Sequence, residues 1–234
     1  ILSNQTDLTT KFETVGLQHT LVTGVEFSRE TLDRTNYAFT GVPQANATNP
    51  NPHDSTAGIS QRVSARSDGN AFGFGIFGAD QIKLNEYFDV VGGVRWDYFD
   101  AEFDDTAINA MNVTTRTDFN RIDKIWSYRG GLIFHPTPLQ SYYFSYATAF
   151  NPSAEAIQLS ADNAGTSPEK NETFELGTKL QFFNGALSLQ GAIFRINKTD
   201  ARVEDPDSPT GQLVLEGKQR VQGFEIGIAG RLLP

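Results

Sequence analysis

The sequence predicts an all-β fold: an antiparallel section of a transmembrane β-barrel wall. Three observations predict it. Stretches of ten or so residues alternate apolar with polar side chains, most clearly in residues 88–100 and in the last third, residues 168–234. A period of two is what a pleated strand imposes, because successive side chains point to opposite faces. The connections alternate between short turns and long polar loops, as they do in outer-membrane barrels with short periplasmic turns and long extracellular loops. The chain also carries 18 Phe, 7 Tyr and 21 Gly in 234 residues. Aromatic residues form girdles at both interfaces of such a wall, and glycine within a strand marks a bend or a close approach.

Composition narrows the alternatives. Mean hydropathy is -0.36, and no run approaches the roughly 20 consecutive apolar residues that a transmembrane helix requires. That does not argue against a barrel, whose strands need only about 9 to 11 residues and hide their apolar face in every second position. The chain has no cysteine, which excludes a disulfide framework and thiolate metal sites and suits passage through an oxidising compartment. A net charge of -9 argues against nucleic acid, whose binders are basic.

Element by element, residues 7–13 and 18–33 read as strands of imperfect phase. Phe72, Phe74 and Ile76 share a face in a run ending near Leu84. From 88 to 100, Phe88, Val90, Val94, Trp96 and Tyr98 oppose Asp89, Arg95 and Asp97. Trp126, Tyr128, Leu132 and Phe134 oppose Ser127 and Arg129. Tyr142, Phe144, Tyr146 and Phe150 oppose Ser141, Ser145 and Ala147. Phe174, Leu176, Leu180 and Phe182 oppose Glu175, Lys179 and Gln181. Residues 187–199 form a weaker strand, and Phe224, Ile226 and Ile228 oppose Glu225 and Arg231 in the last, for about nine strands in all. The charged residues consistently take the inner face. Short turns are expected at Val15-Gly16, Asn85-Glu86, 135–139 and Asn184-Gly185, and long loops at 36–69, 105–121, 151–167 and 204–211. Loops of this length on a rigid scaffold are where ligand contacts are expected.

Four blocks supply a family resemblance. Gly93-Val94-Arg95-Trp96-Asp97-Tyr98-Phe99 resembles a G-x-R-x-D strand, and 141–152, SYYFSYATAFNP, a strand entering a major loop. Residues 168–179, PEKNETFELGTK, resemble a P-E-x-x-x-x-x-E-x-G-x-K block, and 217–225, GKQRVQGFE, a G-x-x-R-x-x-G-x-E block. In order and spacing they are similar to the barrel of TonB-dependent siderophore receptors. The resemblance covers nearly all of residues 1–234 and implies roughly strands eight to sixteen of a 22-stranded barrel in the bacterial outer membrane. It places the N-terminal plug, its contact to the TonB complex and the final strands outside these residues. It further implies no cofactor and no catalysis: the loops capture a ferric siderophore, which is cargo, while lipid surrounds the wall.

The siderophore implied by the resemblance is often anionic and aromatic, which singles out candidate ligand residues. Tyr37, Phe39, Phe119 and Phe150 could stack on catechol rings, with girdle packing as the alternative. Arg34, Arg62, Arg66, Arg116 and Arg121 offer fork-shaped donors to anionic oxygen, with balance of acidic neighbours as the alternative. The stretch at 48–54 leans toward a catecholate-type ligand. For Glu175, Lys179, Glu225, Arg95 and Asp97 the expectation is a structural polar network on the lumenal face. Other functions are expected to fail on particular residues: a barrel hydrolase needs a nucleophile and base or a metal site, yet His19, His53 and His135 lie apart with no H-E-x-x-H or G-x-S-x-G. A porin would lack a plug, and a soluble sandwich would bury its aromatic face.

Overall fold

The computed structural model describes all residues except 45–47, 49–52, 54, 153–166, 205–212 and 232–234, and omits the side chains of 202–204 and 213–216. Among the described residues there is one nine-stranded antiparallel sheet in simple sequential order. Its strands are β1 (Leu2–Thr14), β2 (Leu17–Thr40), β3 (Ser60–Lys83), β4 (Phe88–Ile108), β5 (Thr114–Thr137), β6 (Gln140–Asn151), β7 (Glu169–Phe182), β8 (Leu187–Glu204) and β9 (Leu213–Gly230). Both the strand count and the alternation match the expectation from sequence. Among the described residues no helix is long and apolar enough to cross a membrane.

Register puts the apolar faces on one side. Phe27, Phe74, Tyr98 and Lys124 stand opposite one another in neighbouring strands, as do Val25, Ile76, Trp96 and Trp126. Farther round the wall Leu176, Ile193 and Phe224 form another such row. Most of these side chains are exposed, Trp126 at 56% and Phe224 at 77%, with Phe74, Trp96 and Tyr98 half-buried among them, so this is the outer, oily face. Stacked rings mark its lower edge, where Phe88 lies 4.9 Å from Phe134, and Phe72 against Tyr98 and Tyr146 against Phe174 mark the upper one. Ten residue steps from Phe88 to Tyr98 cover about 33 Å along a strand and, at a tilt of about 40°, roughly 25 Å along the axis. That is the height of a lipid-facing band.

The strands run well past the band. β2, β3 and β5 each have 24 residues, which at the same rise and tilt reach roughly 60 Å along the axis. On the outer face above the rings, Asp33, Asp68, Asp104 and Asp118 stand directly opposite one another across four strands. Hydrocarbon would not tolerate that row, so it lies in water.

Two of the expected long loops are therefore much shorter. The 105–121 loop is strand on both sides of a turn at 109–113, where Asn109 Oδ1 accepts from the backbone N–H of Met111 and Val113, both at 2.9 Å. Asn112 there takes φ 60°, which asparagine tolerates. The 36–69 loop shrinks because β2 continues to Thr40 and β3 starts at Ser60. The reason is physical: above the membrane the outer face meets water, so the apolar alternation disappears while the backbone ladder continues. The loops expected at 151–167 and 204–211, and the stretch 48–54, lie largely outside the described residues.

The short turns were placed well. Val15 and Gly16 both have positive φ, the geometry of a two-residue hairpin whose twist matches its strands. Asn85 Oδ1 accepts from the N–H groups of Tyr87 and Phe88 at 2.8 and 2.9 Å. The 135–139 turn tightens to Pro138-Leu139, since Thr137 pairs with Gln140. The Asn184-Gly185 turn is wider than expected: Phe182 pairs with Leu187, and Phe183, Asn184 and Gly185 all take positive φ.

The assignment of the outer face has a direct test. This chain contains two Trp, both in the band, so single-tryptophan versions of the full-length protein retaining Trp96 or Trp126 should be strongly quenched by brominated acyl chains in reconstituted bilayers. Quenching by aqueous iodide instead would mean the wall is assigned inside out.

Candidate functional site

The inner face carries the polar chemistry, and the small residues of β3 make room for it. Gly69, Ala71, Gly73 and Gly75 form a low stripe; Ser28 of β2 and Phe99 of β4 reach over Gly73, and Arg95 and Asp97 of β4 over Gly75. At its lower end Arg95 Nη2 sits 2.9 Å from Glu26 Oε2 and 2.7 Å from Asp97 Oδ1, while Arg95 Nε donates to the same Asp97 carboxylate at 2.8 Å. A Cβ on Gly75 would collide with this guanidinium. The guanidinium also lies over the Phe77 ring, 5.6 Å from its centre. Arg95 and Asp97 thus form the structural network expected of them, joined by Glu26 from β2.

Above this network is a dry layer. Ala71, Ala101 and Phe103 are buried, with Leu32, Phe99 and Phe119 packed against them. Higher again is a polar row of Arg34, Ser67, Asp105 and Thr117. Ser67, 1% exposed, donates to Asp105 Oδ1 at 2.6 Å. Arg34 Nε is buried without a hydrogen-bond partner, and its guanidinium makes no ion pair with a described residue.

The structure separates the candidates taken from sequence. All nine lie on strands, Arg34 in the polar row just described, where loops or loop edges were expected. Phe119 and Arg121 are on the inner wall, in and beside the dry layer. Arg121 Nε donates to Asp123 Oδ1 at 2.7 Å, and the Asp123 side chain is 2% exposed, so the pair is built into the wall. Phe150 is brought in because β6 pairs with β5 only as far as Ala147 and then follows β7. With Pro152 it lines a niche of about 130 Å³ that includes Glu26, Gly75, Arg95 and Asp97.

The other five lie elsewhere. Arg62 Nη1 donates to the carbonyls of Ile108 and Asn109 at 2.9 and 3.1 Å, latching β3 to the β4–β5 turn. A bulge opposite Asn36 and Tyr37 leaves Tyr37 and Phe39 about half exposed in the outer row of β2. Arg66 and Arg116 are on the outer face, where Arg116 sits 3.3 Å from Asp104.

Lower on the inner face, Tyr143 donates to Glu175 Oε1 at 2.6 Å, and Gly177 leaves the space its ring occupies. Gln81 Nε2 donates to Asp89 Oδ2 at 2.8 Å, with His135 3.5 Å from the same carboxylate. Lys179 and Arg129 line a neighbouring niche of about 600 Å³. Among the described residues no group of three His, Cys, Asp or Glu is placed to hold a metal ion.

Reading by residue type missed Asp123, Asp105, Ser67 and the ion pair of Lys198 with Glu169 at 2.6 Å. One signal was present: Arg121-Ile122-Asp123 repeats the spacing of Arg95-Trp96-Asp97, which puts acid and base on the same face of one strand.

A wall with an oily outside, a charged inside and strands rising far above the band is that of a large outer-membrane β-barrel, and the comparisons agree. The chain belongs to the TonB-dependent receptor β-barrel family, whose model matches residues 2–233, and this is a wall of the bacterial outer membrane. It is 30% identical over 259 residues to the catecholate siderophore receptor Fiu of Escherichia coli K12, covering all of this chain and 33% of that protein. It is 29% identical to the probable siderophore receptor PiuA of Acinetobacter baumannii, over 98% of this chain and 33% of that one. The closed crystal form of Fiu superimposes with a TM-score of 0.82 at 28% identity, covering 99% of this chain and 35% of Fiu. The PiuA structure gives 0.81 at 26%, covering 99% and 36%. The chain therefore spans about a third of the length of these relatives.

The Arg121–Asp123 pair yields a stability test. In the full-length receptor, Arg121→Met leaves a buried carboxylate short of its donor and should lower unfolding stability in detergent by about 1–3 kcal/mol. The double change Arg121→Met with Asp123→Leu should recover most of that loss, because removing both partners removes the desolvated charge as well.

Proposed function

We propose that the full-length protein takes up a ferric siderophore of the catecholate class across the outer membrane, without altering it chemically, with energy supplied through a plug that contacts the TonB complex. The observation that carries this reading is the layering of the inner wall above the lipid band: the Phe103 and Phe119 layer lies directly below Arg34, whose Nε is buried without a hydrogen-bond partner and whose guanidinium makes no ion pair with a described residue. An aromatic, anionic chelate matches both parts. Catechol rings pack on apolar and aromatic surface, and a fixed guanidinium donates to their oxygens with charge-assisted hydrogen bonds. Similarity to Fiu, named as a catecholate receptor, supports the same class.

The chemistry asked of these residues is capture and release. Arg34 is held partly desolvated beside Ser67 and Asp105, which strengthens its attraction for an anion. Arg121 is engaged by Asp123 and serves as wall. Iron arrives already chelated, as part of the cargo.

Two measurements test this. An iron-starved strain lacking its own receptors and carrying the full-length gene should grow on defined ferric catecholates; failure to grow on any ferric siderophore would sink the reading. In the purified full-length receptor, Arg34→Gln should weaken ferric-catecholate binding about tenfold or more, the worth of one to two charge-assisted hydrogen bonds, while Arg116→Gln on the outer face should leave it unchanged.

A further inference from the structure

The outer face of β7, β8 and β9 departs from a uniform oily band. Gly191 lacks a side chain in the middle of it, opposite Thr178 on one side and Ile226 on the other. Leu176, Ile193 and Phe224 rise as the next row up. The result is a groove of about 540 Å³ bounded by Tyr142, Leu176, Thr178, Ile193 and Phe224. It is a shallow, mostly apolar hollow that opens toward the lipid side. A Cβ built on Gly191 would meet only the Glu225 carbonyl oxygen at 3.6 Å, so the groove is open space and not a packing requirement.

The groove does not end in water. It continues past Leu176, Ile193 and Phe224 into a second hollow of about 600 Å³ lined also by Arg195, Asn197 and Gln222. Arg195 lies in the row of Phe174, at the upper edge of the band, and Arg220 is diagonal to it, opposite Asn197. Diagonal neighbours across antiparallel strands are about 7–8 Å apart, so two guanidiniums can reach one phosphate between them. Arg220 Nε is held by Asn197 Oδ1 at 2.9 Å. Arg195 has no ion pair among the described residues: Glu172, the acid nearest in register, accepts from Tyr146 instead. An apolar hollow that leads upward to two arginines, on a face turned to lipid, matches the apolar tail and anionic head of one class of occupant.

We propose that this surface is a binding site for a phosphorylated, acylated lipid of the outer leaflet, with one acyl chain in the Gly191 groove and the phosphate between Arg195 and Arg220. The site rests on the outer-membrane location of the wall and is independent of which chelate the receptor carries. Its consequence is a fixed lipid beside β7 to β9, bound through its headgroup and not simply as part of the solvating annulus.

The test uses the full-length receptor, purified and exchanged into nanodiscs containing lipid A, either with both phosphates or after dephosphorylation, and reads retained lipid by native mass spectrometry. Wild type should retain the phosphorylated lipid about tenfold more than the dephosphorylated one. Arg195→Gln with Arg220→Gln should abolish that preference. Gly191→Leu should lower retention of both lipids by filling the groove, whereas Gly92→Leu, on the same face with nothing within 4 Å of its Cβ, should change neither. Equal retention of the two lipids by wild type, or full preference in the double arginine variant, would overturn the site, as would identical behaviour of the two glycine variants. Ferric-chelate binding by the same samples is read separately, so loss of the lipid site and failure of the transport reading give different results.

Discussion

In hydrocarbon no water is available to a peptide group, so each backbone N–H and C=O in the band must find its partner in an adjacent strand. The nearly unbroken register from β1 to β9 is the form that requirement takes, and the other features follow from it. A continuous ladder forces side chains to alternate, which divides the wall into an oily and a wet face. It also permits the strands to continue above the membrane without change of backbone geometry, since the same ladder satisfies the same groups in water. The platform that carries Arg34, Phe103 and Phe119 is thus an extension of the membrane wall and not a set of loops attached to it.

The inner face shows how charge is kept on such a wall. Arg95, Glu26 and Asp97 neutralise one another within hydrogen-bonding distance, and Arg121 with Asp123 repeats the arrangement one strand over. Arg95 lies along the sheet and does not project from it, which is possible because β3 presents Gly75 beneath its guanidinium. A charge held flat in this way is partly desolvated but paired, so it rigidifies the wall while leaving the lumen free. Arg34 differs: Asp105 lies in the same row but accepts from Ser67, and Arg34 makes no ion pair with a described residue.

Much of the architecture was legible in sequence because lipid writes a strict code. Wherever a strand crosses the band, as at 88–100 or 174–182, one face must be apolar, and a one-residue slip would turn that face inward. The strand order, the sidedness and the turns at Val15-Gly16 and Asn85 were readable on that basis, and so was the family. Above the band the code lapses. Residues 101–108 and 114–121 are strand with water on the outer face, and their polar outer residues resemble loop composition, so Arg116 and Phe119 were taken for loop residues. Arg121 was legible as a cation but not as half of a buried pair, although the R-x-D spacing it shares with Arg95 was in view.

The sequence alone determined which residues could touch lipid, how many strands there are and which end of each turn faces the periplasm, since period and composition report the solvent on each face. Only the tertiary structure decided which arginine is spoken for. Pairing depends on register between strands distant in sequence: Glu26 meets Arg95, Ser67 meets Asp105, and β6 leaves β5 to bring Phe150 over Asp97. Alternation along one strand carries no information about which residue of the next strand lies alongside, and it is that lateral alignment that separates the paired arginines of the wall from Arg34, whose Nε has no hydrogen-bond partner among the described residues.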